Sequence, residues 1–258
     1  MDNDITPEAI IQRLNTRFIG RTIVYHPSVS STMDAAKEEA ASGATEGTVV
    51  VAREQTCGKG RLGREWINPP GVIAFSILLR PEMNNLLRLT MVASLATSRA
   101  IDTITGLSTS IKWPNDVLLN GRKVSGILTQ SAFRKRVVDW AIIGIGINVN
   151  FDPTKYEAIS ESATSLSNEL GREVSQLDVI AQVLNEFEMC YLALCNGEPI
   201  HEQWQARLET LGKVVRIKAA KHILEGLAES VDDDGALLLR QNDGKLLQIT
   251  AGDVTLRV

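Results

Sequence analysis

Apolar positions along the chain repeat at two spacings, and these divide it into helices and strands. Residues 1–20 read as a short helix ending near Gly20, and residues 22–26 (TIVYH) as a strand. Ser31 is a good helix N-cap, Asp34 falls in the first turn, and an alanine-rich run stops at Gly43. Residues 48–55 (TVVVAREQ) predict a second strand. Residues 71–80 (GVIAFSILLR) are long and apolar enough for a buried one. Leu86 to Ile104 carries apolar residues at helical spacing and stops at Gly106. Asn120-Gly121, flanked by VLL and KVSGIL, signals a type I′ hairpin, and residues 137–149 (VVDWAIIGIGINV) predict a further core strand. Ser175 caps a helix from about Leu177 to Cys195, with an apolar stripe of Ile180, Val183, Leu184, Phe187 and Tyr191; Gly197 and Pro199 end it.

After Trp204 the texture changes. Residues 213–258 are short β-rich runs punctuated by Asp234-Gly235, Asp243-Gly244 and Gly252-Asp253, the rhythm of a small β-barrel or sandwich. A domain boundary is expected near residues 205–212, dividing 1–208 from 209–258. The fold class is α+β, a mainly antiparallel mixed sheet flanked by helices and followed by a small β-domain.

Composition narrows the function. With 44% hydrophobic and 22% charged residues in 258, the chain has no disorder signature and can bury a sizeable core. A net charge of −4 does not suit a nucleic-acid coat or a polybasic membrane binder. Cys57, Cys190 and Cys195 are odd in number and form no CxxC pair, so neither a disulfide framework nor a zinc site is expected. His26, His201 and His222 are too scattered to suggest a metal cage. The start lacks a signal peptide's basic segment and apolar core, and no apolar run has transmembrane length, so the expected compartment is the cytoplasm.

Two stretches carry chemistry. The first runs from Cys57 to Trp66 (CGKGRLGREW). Gly58, Gly60 and Gly63 allow sharp turns and close approach to a ligand, while Lys59, Arg61 and Arg64 place three cations within six residues. Such a loop suits a phosphate or carboxylate, and Trp66 adds a flat apolar surface at its exit. A lone glycine motif of this kind would read as a solvated basic turn. It is not a dinucleotide fingerprint, because a strand and not a helix follows, and no GK[ST] closes it as a Walker loop. The second stretch is Lys112 to Gly126 (KWPNDVLLNGRKVSG). The hairpin returns Lys123 towards Asn115 and Asp116, so an amide, a carboxylate and two lysines converge. Arg122 reads as a charged sheet edge and Trp113 as core.

These stretches resemble the signatures of biotin protein ligases. GKGRLGREW is similar to the family's GRGRxGRxW loop, and KWPNDVLLNGRKVSGIL to its KWPND…K…GIL segment. Ser31-Thr32, Gln55 and Gly144-Ile-Gly-Ile-Asn148 resemble further family positions in the expected order. The resemblance implies a class II synthetase-like catalytic fold followed by an SH3-like barrel. It also implies formation of biotinyl-5′-AMP from biotin and ATP, with magnesium, and transfer to a lysine of a biotin carboxyl carrier protein of acetyl-CoA carboxylase.

By the same resemblance, Lys123, Asp116, Arg61 and Lys112 are the catalytic candidates. Ser31, Thr32, Met33, Gln55, Gly58, Lys59, Gly60, Arg61, Lys123 and Gly126 would hold biotin. Lys59, Arg61, Arg64, Trp66, Lys112, Asn115 and Asn148 would hold ATP. Asp116 is the one protein group considered for the metal. Met33 departs from the family's asparagine, so one polar contact to biotin is missing or supplied elsewhere. Lys59 departs from its first arginine, keeping the charge but losing the planar fork. A lipoate or octanoate ligase and a transcriptional repressor are the alternatives. The thirty residues before the Ser-Thr helix are too few for a winged helix-turn-helix, so neither nucleic acid nor membrane is an expected partner. A homodimer is left open.

Overall fold

The computed structural model describes residues 5–219 and 222–256. The first sheet is built from β1 (Ile23–His26), β2 (Val49–Ala52), β3 (Val72–Leu79), β4 (Thr109–Lys112), β5 (Asp116–Leu119), β6 (Arg122–Arg134) and β7 (Val137–Asn148). Its strand order is β1-β2-β3-β7-β6-β5-β4. Only β1 and β2 pair in parallel, because α1 (Thr32–Ala41 in the crossover between them) returns the chain to the same end; every other pair is antiparallel. The expected cap starts this crossover helix, with Ser31 Oγ accepting from the backbone N–H of Met33. Asn120 (φ 51°) and Gly121 (φ 74°) make the tight turn between β5 and β6.

Residue parity decides what lies on each face of this sheet. Phe75 and Ile77 of β3 and Ile143, Ile145 and Ile147 of β7 join the main core. There they meet α2 (Leu89–Thr105) and α3 (Gln176–Cys195). Leu78 and Ile142 face the other way and pack with Met33, Ala36 and Val50. Gly144 and Gly146 share the parity of Ile142, so this second face runs from an apolar patch onto a bare floor.

The second sheet contains β8 (Val214–Ala219), β9 (His222–Val231), β10 (Leu237–Arg240), β11 (Leu246–Ile249) and β12 (Asp253–Leu256). It is antiparallel throughout, in the order β11-β10-β9-β8-β12. The two sheets are joined by packing: Val215, Ile217 and Leu237 belong to the same core cluster as α2 and α3. Trp113, 2% exposed, packs as expected, and its indole N–H donates to Gly235 O at 2.8 Å.

One element is shorter than its sequence suggests. The expected helix over residues 1–20 is confined to Pro7–Ile11 among the described residues. The physical reason lies on α3, where the carboxylate of Glu188 accepts backbone N–H bonds from Arg17, Phe18 and Ile19. Those donors are held outside any helical pattern by a residue distant in the chain. Short helices at Leu166–Leu170 and Ile200–Gln205 were not anticipated from the apolar periodicity.

Candidate active site

A cavity of about 110 Å³ opens on the second face of the first sheet. Its floor includes Gly126, Gly144, Gly146 and Ala74. Trp66 lies flat against this floor. A Cβ at Gly146 would stand 2.4 Å from the indole Cε2, so that position has no room for a side chain while the ring is there. Met33 covers Gly144 in the same way, its sulfur 2.6 Å from where a Cβ would be. Met33 therefore presents an apolar wall where the resemblance led one to look for a polar contact.

One end of the cavity is polar and uncharged. Gln55 Oε1 accepts from the backbone N–H of Thr32 (2.8 Å) and from its hydroxyl (3.1 Å). Ser76 Oγ donates to Thr32 Oγ1 at 2.9 Å. Ser31 and Thr32 are brought there by the helix start itself, and Gln55 by the chain leaving β2.

The glycine loop forms one side. Gly60 N–H donates to Arg64 O and Trp66 N–H to Gly58 O, while Leu62 (φ 54°) and Gly63 (φ 74°) turn the tip. A Cβ on Gly58 would come within 2.2 Å of Trp66 O, so the close pairing of the loop's two arms requires glycine. Lys59 Nζ reaches Asp34 at 2.6 Å. Burial pushes the Asp34 carboxyl up, but Lys59 and Lys37 together bring it below its ordinary value. Arg61 donates to Asn115 Oδ1 (2.8 Å) and to Gly252 O (3.2 Å), and Arg64 pairs with Asp253. Burial lowers the Arg61 guanidinium below its ordinary value, against the pull of Asp116.

The β5–β6 hairpin forms the other side. Asn115 donates to Ile127 O at 2.8 Å, which fixes its oxygen towards Arg61. Lys123 Nζ lies 2.7 Å from Asp116 Oδ1 and 5.5 Å from the centroid of the Trp66 ring. The cavity thus combines neutral hydrogen-bonding groups at the start of α1 with loop and hairpin cations, of which Lys123 and Arg64 are paired with Asp116 and Asp253.

Most of the expected site residues line this cavity: Ser31, Thr32, Met33, Gln55, Lys59, Gly60, Arg61, Arg64, Trp66, Asn115, Asp116, Lys123 and Gly126. Three do not. Lys112, at the end of the outermost strand β4, bears on Glu209, a carboxyl held below its ordinary value first by the Ser110 hydroxyl. Asn148 is 5% exposed and donates to Thr164 O at 2.9 Å, which ties a neighbouring segment to β7. Gly58 is buried beneath Trp66 and acts through the loop's shape. Sequence reading also missed Asp253 and Gly252. Asp253 lines the cavity from β12, and Gly252, 191 positions from Arg61, accepts from it; no local pattern announces either. Among the described residues no group of three or more His, Cys, Asp or Glu could hold a metal ion, and no helix is long and apolar enough to cross a membrane.

Residues 25–148 match the model of the Biotin/lipoate A/B protein ligase family, and residues 210–257 that of the Biotin protein ligase C terminal domain. The chain is 37% identical over 249 residues to the Bifunctional ligase/repressor BirA of Bacillus subtilis (strain 168), covering 94% of this chain and 76% of that relative. This chain belongs to the biotin protein ligase family. The ligase is also 37% identical over 206 residues to the Biotin--[acetyl-CoA-carboxylase] ligase of Paracoccus denitrificans, covering 76% of this chain and 85% of the relative. Among solved structures, it is similar to the biotin protein ligase from Aquifex aeolicus in complex with biotin and ATP. That likeness has a TM-score of 0.80 at 32% identity and covers 92% of this chain and 99% of the other.

Proposed function

We propose that this ligase joins biotin to ATP, forming biotinyl-5′-AMP and pyrophosphate, and then passes the biotinyl group to a lysine of a biotin carboxyl carrier protein. The observation that carries the reading is that a single cavity joins neutral hydrogen-bonding groups to cations. A neutral ureido ring needs hydrogen-bonding partners once buried, and Ser31, Thr32 and Gln55 supply them. An anionic tail needs cations, and Lys123, Arg61 and Arg64 line the same cavity.

In the first half-reaction a biotin carboxylate oxygen attacks the α-phosphorus and the bond to the leaving pyrophosphate breaks. Both reactants are anionic. Lys123 and Arg61 offset their repulsion and the charge that develops on the phosphoryl oxygens. In the second half-reaction the carrier's lysine amine attacks the acyl carbon, AMP leaves, and the amine loses a proton. Asp116, which lines the cavity, accepts that proton or orients the amine in this scheme. Lys112 and Asn148, expected to meet ATP, lie outside the cavity in this structure.

Ligand sites typically enclose about 300–1,000 Å³. The cavity's 110 Å³ is therefore too small for the adenylate as it stands, and we infer that Trp66 and the glycine loop shift to admit it. Magnesium would arrive with the nucleotide's phosphates. The described residues offer it no cluster of their own, and Asp116 is engaged by Lys123. We assign the chemistry to residues 1–208, support of the loop to residues 209–258, and the cytoplasm as the place of work.

The test is ATP–pyrophosphate exchange with biotin, lipoate or octanoate offered separately. Exchange is expected with biotin. Exchange with lipoate alone would overturn the reading.

A further inference from the structure

Three cations of the cavity pair with carboxylates: Lys123 with Asp116, Arg64 with Asp253 and Lys59 with Asp34. Asp116 and Asp253 line the cavity themselves, whereas Asp34 does not. It stands behind Lys59 in the first turn of α1, where the helix end also favours a negative charge.

The Lys59 ammonium bridges both oxygens of Asp34, 2.6 Å from Oδ2 and 2.7 Å from Oδ1. Lys37, one turn further along α1, reaches Oδ1 at 3.2 Å and is not part of the cavity lining. Asp34 therefore holds two lysines, one at the cavity wall and one outside it. These side chains are open to solvent and to ligand: Lys59 is 36% exposed, and Asp34 and Lys37 are each 34% exposed. Ion pairs so accessible to water are weak and exchange partners readily. When Lys59 turns to an anion in the cavity, Asp34 keeps Lys37 and is not left unpaired. A lysine suits such an exchange, because its charge is compact and its stem flexible, where an arginine's fork would be fixed in two bonds.

We propose that Asp34 is a positioning residue, which holds Lys59 at the cavity wall until the anionic group of a substrate arrives, and that Lys37 stays behind as the counter-charge that eases the release. This rests on the reading that biotin and ATP meet in this cavity. The group that draws Lys59 away is a carboxylate or a phosphate.

The full chain is titrated by calorimetry with biotin, with the uncharged biotin amide and with ATP, each alone. Lys37→Met should weaken binding of biotin, of ATP or of both about two- to five-fold, the range of an exposed ion pair, and leave biotin amide unchanged. Weakening with biotin alone identifies the carboxylate as the anion, and weakening with ATP alone the phosphates. Lys37→Arg should restore the affinity of the wild type. In Asp34→Asn there is no carboxylate to leave unpaired, so adding Lys37→Met should change nothing further; Asp34→Ser serves if Asp34→Asn does not fold. A Lys37→Met effect that persists without Asp34 would mean that Lys37 attracts anions directly, and it overturns the proposal. So does equal weakening for biotin amide, or unchanged binding in Lys37→Met. Wild-type protein that binds neither biotin nor ATP would overturn the proposed function as well.

Discussion

The Nζ of Lys123 lies 2.7 Å from the Oδ1 of Asp116, across the β5–β6 hairpin. A register shift between Val117 and Leu118 accompanies that approach, so that Asp116 faces Gly126 and Leu118 faces Lys123. The pair is carried by hydrogen-bonded strands, and rigid elements place reacting groups accurately. Lys123→Ala should lower biotin-dependent pyrophosphate exchange by about 10²–10³. Asp116→Asn should retain most of the exchange while slowing transfer to the carrier. Equal loss of both half-reactions in Asp116→Asn would show that Asp116 serves only to position Lys123.

Arg61 differs from Lys123 in its setting. It sits in the glycine loop and is held by Asn115 Oδ1 and Gly252 O. Arg61→Ala is expected to form the adenylate but to release it early. Offered biotin, ATP and an unrelated lysine-rich protein, this variant should label the bystander more than wild type, and Lys123→Ala should label nothing. If both variants merely lose activity to the same degree, strand and loop do not divide the work.

The floor beneath Trp66 gives a graded test. An added methyl group at Gly146 would stand 2.4 Å from the indole, whereas one at Gly126 would stand 3.1 Å away. Gly146→Ala should therefore displace the ring and weaken biotin binding by calorimetry more than Gly126→Ala does. The reverse order would mean that Trp66 is not the wall against which biotin packs.

Glu169 anchors the turn that precedes Lys123, accepting from Asn120 (2.6 Å), Arg122 (2.6 Å) and Thr164. Burial raises its carboxyl, but the bonds from Thr164, Asn120 and Arg122 prevail and hold it below the ordinary 4.5. A depressed carboxylate contributes stability above its unfolded value and loses it as pH falls through the folded one. Glu169→Gln should therefore cost about 1–2 kcal/mol at pH 7, and the gap to wild type should close below pH 4.5. Melting temperatures of both proteins across that range decide it; a constant gap would place the effect outside the carboxylate's charge.

What the sequence disclosed, it disclosed through local chemistry. Ser31 as a cap, Asn120-Gly121 as a turn and the apolar run of β3 are each decided within a few residues, and each stands where expected. The glycine loop and the hairpin were readable for the same reason. Lys112 lies outside the cavity and bears on Glu209, because proximity in a motif does not fix which way a side chain on an edge strand points. The N-terminal helix was overextended because Glu188 lies far along the chain. Asp253 stayed hidden because its role depends on how one sheet docks against the other.

The anchoring of Arg61 and Arg64 by Gly252 and Asp253 also has a consequence during synthesis. A chain is made from its N-terminus, and its units fold in that order. Every cavity residue of the first sheet and its loops precedes residue 147 and is therefore made before β12. At that stage the loop's arginines have no C-terminal anchor. A nascent or prematurely stopped ligase would therefore present the cations that attract the nucleotide without the strand that steadies them, until β12 docks.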